Sequence, residues 1–191
     1  MQKKILQAVD NTRPSQRAIH YAVQLSSVVN KLHYVLIHIQ PMISFFLQEE
    51  ASKSASAKRQ LDKVLKKNDL FARKLLDDCR DEMENKGIAS DRIECIIKKR
   101  NLGYAKDIID YAQKERYDAI VVGRRGLSGL FKMDAGSVTT DILEQSQVIP
   151  VWLVDGDVAS SEMLMAIDGS EASLRAVDHV SFILSGNSDV H

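Results

Sequence analysis

Cysteine is nearly absent from this sequence. Its 191 residues include two, Cys79 and Cys95, too few for a disulfide framework and without a histidine at metal-ligand spacing. Both are expected to be buried, reduced thiols. Net charge is absent too: 26 Lys and Arg residues balance 26 Asp and Glu. No global field therefore draws the chain to nucleic acid or to an anionic membrane. No stretch approaches the roughly 18 apolar residues of a membrane-spanning helix, and the basic opening Met1–Asp10 is interrupted too soon for a signal peptide. The expectation is a cytoplasmic protein with neither nucleic acid nor membrane among its partners. Catalytic signatures are missing as well. His20, His33, His38 and His179 are scattered without ligand spacing and read as surface or satisfied core residues. Ser15, Ser137 and Ser170 lack the strained setting of a nucleophile elbow, and no acid–base pair stands out. No catalytic residue and no metal ligand is assigned.

What is present is an alternation of short apolar runs with amphipathic stretches. Lys4–Val9 reads as a buried strand that ends at Asp10. A helix follows, capped by Asn11 or Thr12 with Pro14 in its first turn, and Ala18, Ile19, Ala22 and Leu25 recur on one face. Leu32–Ile39 is a second strand. The patch Ile43–Leu47 reads as a locally packed loop, a flap or a dimer contact. Leu61, Val64, Leu65, Phe71, Leu75, Cys79 and Met83 then mark a long helix closed by Gly87, whose lysine-rich flank around Lys58–Lys74 is a solvated face. Strand Arg92–Lys98, helix Tyr104–Glu115, strand Ala119–Val122, helix Thr139–Gln147 and strand Val151–Val154 complete the series. Near-continuous apolar strands separated by amphipathic helices indicate an α/β fold: an open, doubly wound parallel sheet covered on both faces, Rossmann-like. A closed eight-fold barrel would need a longer chain.

After the fourth strand comes Gly123-Arg124-Arg125-Gly126, then Gly129, then Gly136-Ser137-Val138-Thr139. Glycines let a backbone approach a phosphate closely and turn its N–H groups toward an anion. Gly136 and Ser137 are placed to open a helix whose unsatisfied N–H groups favour negative charge, with Ser137 and Thr139 as hydroxyl donors. The competing reading is a tight exit turn with its arginines in solvent. The loop lacks the Gly-Lys-Ser/Thr of a Walker motif and follows the fourth strand, where a dinucleotide fingerprint would follow the first.

The spacing is Gly123, two residues, Gly126, nine residues, Gly136-Ser137. It resembles the ATP-binding signature of the universal stress protein family without insertion or deletion. The first strand ending in Asp10, the second ending in His38-Ile39 and the closing Ile149-Pro-Val-Trp-Leu-Val154 extend the resemblance from Lys3 to about Asp155. It implies a five-stranded parallel sheet of the adenine nucleotide α-hydrolase-like type with strand order 3-2-1-4-5. It also implies a homodimer through the last strand, and ATP (alone or with Mg2+) in a crevice at the strands' carboxyl ends. By position, Asp10 lies beside the nucleotide with the backbone of Ala8 close by, and Ile39 packs on or pairs with adenine. Gly123, Arg124, Arg125, Gly126 and Gly129 border ribose and phosphates, and Gly136, Ser137, Val138 and Thr139 hold the phosphate tail. Asp10 as a helix cap and Ile39 as plain core are the alternatives. Arg124 and Arg125 stand where ATP-binding relatives carry a smaller polar residue and a histidine, which keeps AMP and ADP among the expected ligands.

Residues from Met163 onward echo the amino terminus. Leu6, Ala8, Asp10, Ser15, Arg17 and Ala18 recur as Leu164, Ala166, Asp168, Ser173, Arg175 and Ala176, all at an offset of 158. Residues 1–156 are therefore expected to form one domain, and 157–191 the first strand and helix of a second, incomplete copy. One strand and one helix cannot bury their faces alone, so Met163–Leu184 is expected to dock on the first domain or another chain, or to remain poorly ordered. The functional expectation is an adenine-nucleotide-binding regulatory module of the stress-response type. A dimerising scaffold without nucleotide and a slow ATP hydrolase are the rivals.

Overall fold

The computed structural model describes residues 3–29, 31–124, 138–158 and 162–186. Its elements are β1 (Lys3–Ala8), α1 (Arg13–Val28), β2 (Leu32–Gln40), α2 (Phe45–Lys53), α3 (Ala55–Asn85), β3 (Ile93–Lys99), α4 (Tyr104–Lys114), β4 (Ala119–Gly123), α5 (Val138–Gln145), β5 (Val151–Val154) and α6 (Glu171–Leu184). The strands form one parallel sheet in the order β3-β2-β1-β4-β5, the expected order.

The alternation along each strand divides the core into two layers. Ile5 and Val9 of the first strand segment face one side with Tyr34, Leu36, Ala119 and Val121, under α1 and α3. Leu6, Val35, Ile37, Ile39, Ile120 and Val122 face the other, under α4 and α5. Right-handed crossovers account for the split, because the chain leaves β1 toward β2 and β3 and then crosses back to β4 on the opposite flank. Each fully buried aliphatic side chain in these layers stabilises by about 1.5–3 kcal/mol. Both cysteines are free thiols, and burial pushes the Cys79 thiol up to about 11.

Local chemistry sets the helix boundaries. Thr12 caps α1, accepting from the Ser15 N–H, with proline in the first turn. At the end of α3 the Ile88 N–H donates to Met83 O at 3.1 Å and the Gly87 N–H to Glu84 O at 2.9 Å. Gly87 has φ of +96°, so the helix closes in a Schellman turn that glycine accommodates without strain. The patch Ile43–Leu47 is a correction to the expected loop. Ser44 caps a second helix there, its hydroxyl accepting from the Leu47 N–H at 3.3 Å. That helix, α2, lies against α3 and leaves Phe45 and Phe46 exposed.

The segment after β5 also departs from expectation. Residues 162–168 form no strand, and Leu164, whose counterpart Leu6 is fully buried, is 98% exposed. β1 is a strand because β2 and β4 flank it, and among the described residues nothing flanks its copy. The copied helix α6 does form, capped by Ser170, and docks on the same chain. Lys3 Nζ donates to the carbonyls of Ile183 at 2.9 Å and Ser185 at 2.6 Å, and Trp152 Nε1 donates to His179 Nε2 at 2.8 Å.

Candidate functional site

Strand order reverses between β1 and β4, so the connections at their carboxyl ends diverge and leave a crevice, the position where open parallel sheets bind ligands. A cavity of about 480 Å³ occupies this place. Its residues come from the ends of β1, β2 and β4 and from the flanking α1, α3, α4 and α5.

The β1 edge is held by main-chain bonds that continue past the strand. The Val9 N–H donates to Ile37 O at 2.9 Å, and the Asp10 N–H to Ser15 Oγ at 3.0 Å. The Asp10 carboxylate accepts from the Thr12 N–H at 3.1 Å and from the Thr12 hydroxyl, while that hydroxyl accepts from the Ser15 N–H at 3.4 Å. Thr12 is thus the cap of α1, and Asp10 fixes the cap from the crevice side. The three residues form one polar cluster on the cavity wall.

On β2, His38 is buried with Nδ1 at 2.8 Å from Val9 O. A carbonyl only accepts, so Nδ1 carries the proton and ties the ends of β1 and β2 together. The ring meets Phe71 of α3 edge-on, with centroids 6.0 Å apart. This is the satisfied core histidine the sequence suggested, although it also lines the cavity. Ile39 lines it from the opposite core layer.

Gly123 ends β4 where no side chain fits: a Cβ there would lie 2.0 Å from Pro14 O. The Thr139 hydroxyl of α5 donates to Gly123 O at 3.2 Å, bringing the amino end of α5 to the crevice. The next residue turns away. The Arg124 N–H donates to Val154 O at 2.8 Å and its guanidinium pairs with Asp155 at 2.9 Å, so Arg124 does not line the cavity. Of the expected site residues, Ala8, Asp10, Ile39, Gly123, Val138 and Thr139 do line it. Arg125, Gly126, Gly129, Gly136 and Ser137 lie outside the described residues.

The cavity wall is chemically mixed. Asp10, Thr12, Ser15, Gly123 and Thr139 contribute polar groups, and Ile37, Ile39, Pro41, Phe71, Tyr104 and Ile108 contribute apolar surface, with Asn68 also on the wall. Behind Tyr104 stands Arg100, whose guanidinium carbon is 4.6 Å from the ring centroid. Sequence reasoning missed the contributions of α3 and of Tyr104, although Phe71 had registered as a position on the apolar stripe. Among the described residues, no group of three or more His, Cys, Asp or Glu side chains is placed to hold a metal ion, and no helix is long and apolar enough to cross a membrane.

Comparison with known proteins covers most of the chain. The family model described as the universal stress protein family matches residues 1–155. No curated protein matches the sequence at a significant level. Solved structures with the same fold include a universal stress protein from Archaeoglobus fulgidus in complex with dAMP, at 18% identity and a TM-score of 0.54, covering 79% of this chain and 96% of that one. A family protein from Arabidopsis thaliana with AMP bound has 20% identity and a TM-score of 0.53, covering 80% and 91%. A universal stress protein in complex with cAMP has 20% identity and a TM-score of 0.58, covering 80% and 96%.

Proposed function

The chain belongs to the universal stress protein family, and from that premise we propose that its crevice binds an adenine nucleotide and that the protein acts as a nucleotide-responsive regulatory module. The observation that carries this reading is a crevice wall that combines apolar residues, Ile39, Pro41, Phe71 and Tyr104, with polar groups at Asp10, Gly123 and Thr139. A planar base fits the first and a sugar phosphate the second. Asp10 is the only charged side chain on the wall among the described residues. A carboxylate repels phosphate and accepts from hydroxyls, so it belongs with the ribose. The phosphates then run past Gly123 toward the amino end of α5, where the helix dipole favours an anion. In the sequence Gly126, Gly136 and Ser137 stand between Gly123 and α5.

Adenine is favoured because the structural relatives above carry cAMP, dAMP and AMP. ATP enters through the glycine spacing, which is that of the family's ATP-binding signature, and ADP and AMP present the same base and sugar. Binding phosphates on main-chain N–H groups needs no chemistry to be useful, because a ligand held only by the folded state at 100 times its dissociation constant adds about 2.7 kcal/mol of stability. β5 is an edge of the sheet, and a homodimer through it completes the proposed module.

Thermal unfolding with ATP, ADP and AMP tests the reading. For a chain of this size a saturating adenine nucleotide raises the midpoint by about 5–10 °C. No rise with any of the three would leave the scaffold reading in its place.

A further inference from the structure

The cavity wall carries a side-chain amide that the fold leaves uncommitted. Several other polar side chains there are engaged. Ser15 accepts from Asp10 and Thr12 bonds its carboxylate, His38 Nδ1 is bound to Val9 O, and the Thr139 hydroxyl donates to Gly123 O. Asn68 lines the same cavity and is half-buried, yet its amide has no hydrogen-bond partner among the described residues. A half-exposed amide with no protein partner keeps its water and can exchange it for the polar edge of a ligand.

Its surroundings define what that ligand presents. Asn68 and Phe71 are three residues apart on α3 and share the helix face turned to the cavity. Tyr104 and Ile108 of α4 line the same cavity, as do Ile37, Ile39 and Pro41. Apolar and aromatic neighbours of this kind suit a flat heteroaromatic ring, and the amide suits its polar edge.

Resting on the nucleotide reading above, we propose that Asn68 is a specificity-determining residue that reads the edge of the base and selects adenine over guanine. The chemistry is one donor and one acceptor held side by side. Adenine offers the complement on its N6/N7 edge: the exocyclic amine donates to Asn68 Oδ1 and N7 accepts from Asn68 Nδ2. Guanine offers two acceptors there, O6 and N7, so one of them faces the amide oxygen. A bidentate amide–adenine pair discriminates by about 1–3 kcal/mol, which corresponds to roughly 5- to 150-fold in affinity. This role comes from a helix remote in sequence from the glycine loop, so it acts independently of the phosphate contacts.

Calorimetric titration of the full chain with AMP and with GMP tests the assignment, using the native protein and Asn68→Ala. Alanine is the best helix former, so α3 is retained, and circular dichroism checks that it is. The expected result is AMP binding at least about tenfold tighter than GMP in the native protein. In the variant AMP weakens about tenfold and GMP less than twofold, so that the preference collapses. A general loosening of the pocket would weaken both nucleotides equally. Native protein that binds AMP, with a variant that keeps its AMP preference or loses both ligands in parallel, overturns the role of Asn68 and leaves the nucleotide reading standing. A native preference for GMP also overturns it. Native protein that binds neither nucleotide refutes the nucleotide reading itself, and this inference with it.

Discussion

Replacing Gly123 by alanine puts a methyl group where the backbone of Pro14 already sits. The added Cβ would lie 2.0 Å from Pro14 O, 2.3 Å from Pro14 C and 2.9 Å from Pro14 Cβ, all under the 3.0 Å below which something must shift. Two of the three are main-chain atoms in the first turn of α1, so no rotamer change relieves the clash. Gly123 is not among the residues with positive φ, so alanine is acceptable to the backbone and sterics alone set the cost. Either β4 or the amino end of α1 must move. Overpacking of this kind costs about 1–3 kcal/mol, and contact with main chain places Gly123→Ala at the upper end. For a chain of this size, a loss of about 2–3 kcal/mol lowers the melting temperature by about 4–12 °C. The same displacement carries Thr12 and Ser15, which hold Asp10 in the cavity wall, so adenine-nucleotide affinity falls along with stability. Urea unfolding followed by circular dichroism measures the first effect and calorimetry the second. A stability change under about 0.5 kcal/mol, the range of an unconstrained surface substitution, would refute the packing argument.

Two further substitutions probe other parts of the fold. Gln7 is fully buried in the central strand, and neither its Nε2 nor its Oε1 has a hydrogen-bond partner. Gln7→Met removes both orphaned groups at similar volume and is expected to raise stability by about 1–3 kcal/mol, read as a higher urea midpoint; a lower midpoint would contradict it. Burial holds the His179 pKa below its ordinary 6.5, against a smaller opposing effect of Asp118. The docked helix therefore favours neutral His179, whose Nε2 accepts from Trp152. That stabilisation is complete above about pH 6.5 and is lost as pH falls toward the lower folded value. Trp152 fluorescence is expected to shift between pH 7 and 5, and His179→Gln, which keeps an acceptor but does not titrate, removes the step; a step that persists in the variant would assign it elsewhere.

The sheet was legible in the sequence because its strands are short, apolar and punctuated, and the helices between them carry clear stripes. The resemblance to the stress-protein family supplied the strand order. The same resemblance singled out Asp10 and Thr139, and both line the crevice. The contribution of α3 was not legible. Phe71 belongs to the apolar stripe of a 31-residue helix, yet it is 47% exposed, because at that rung the helix faces the crevice instead of packed core. A stripe gives the direction of a face and says nothing of what lies opposite. The helix α2 was missed because Phe45, Phe46 and Leu47 are consecutive and show no helical period. Residues 162–168 carry the sequence of a central strand without becoming one, because strand formation depends on neighbours as much as on the segment itself.

The most direct test of the account is a crystal structure of the protein grown with AMP. Electron density is expected for the base among Ile39, Phe71 and Tyr104, for the ribose within hydrogen-bonding distance of Asp10, and for the phosphate beyond Gly123 toward the start of α5. Density for AMP at any other place, with this crevice empty, would contradict it.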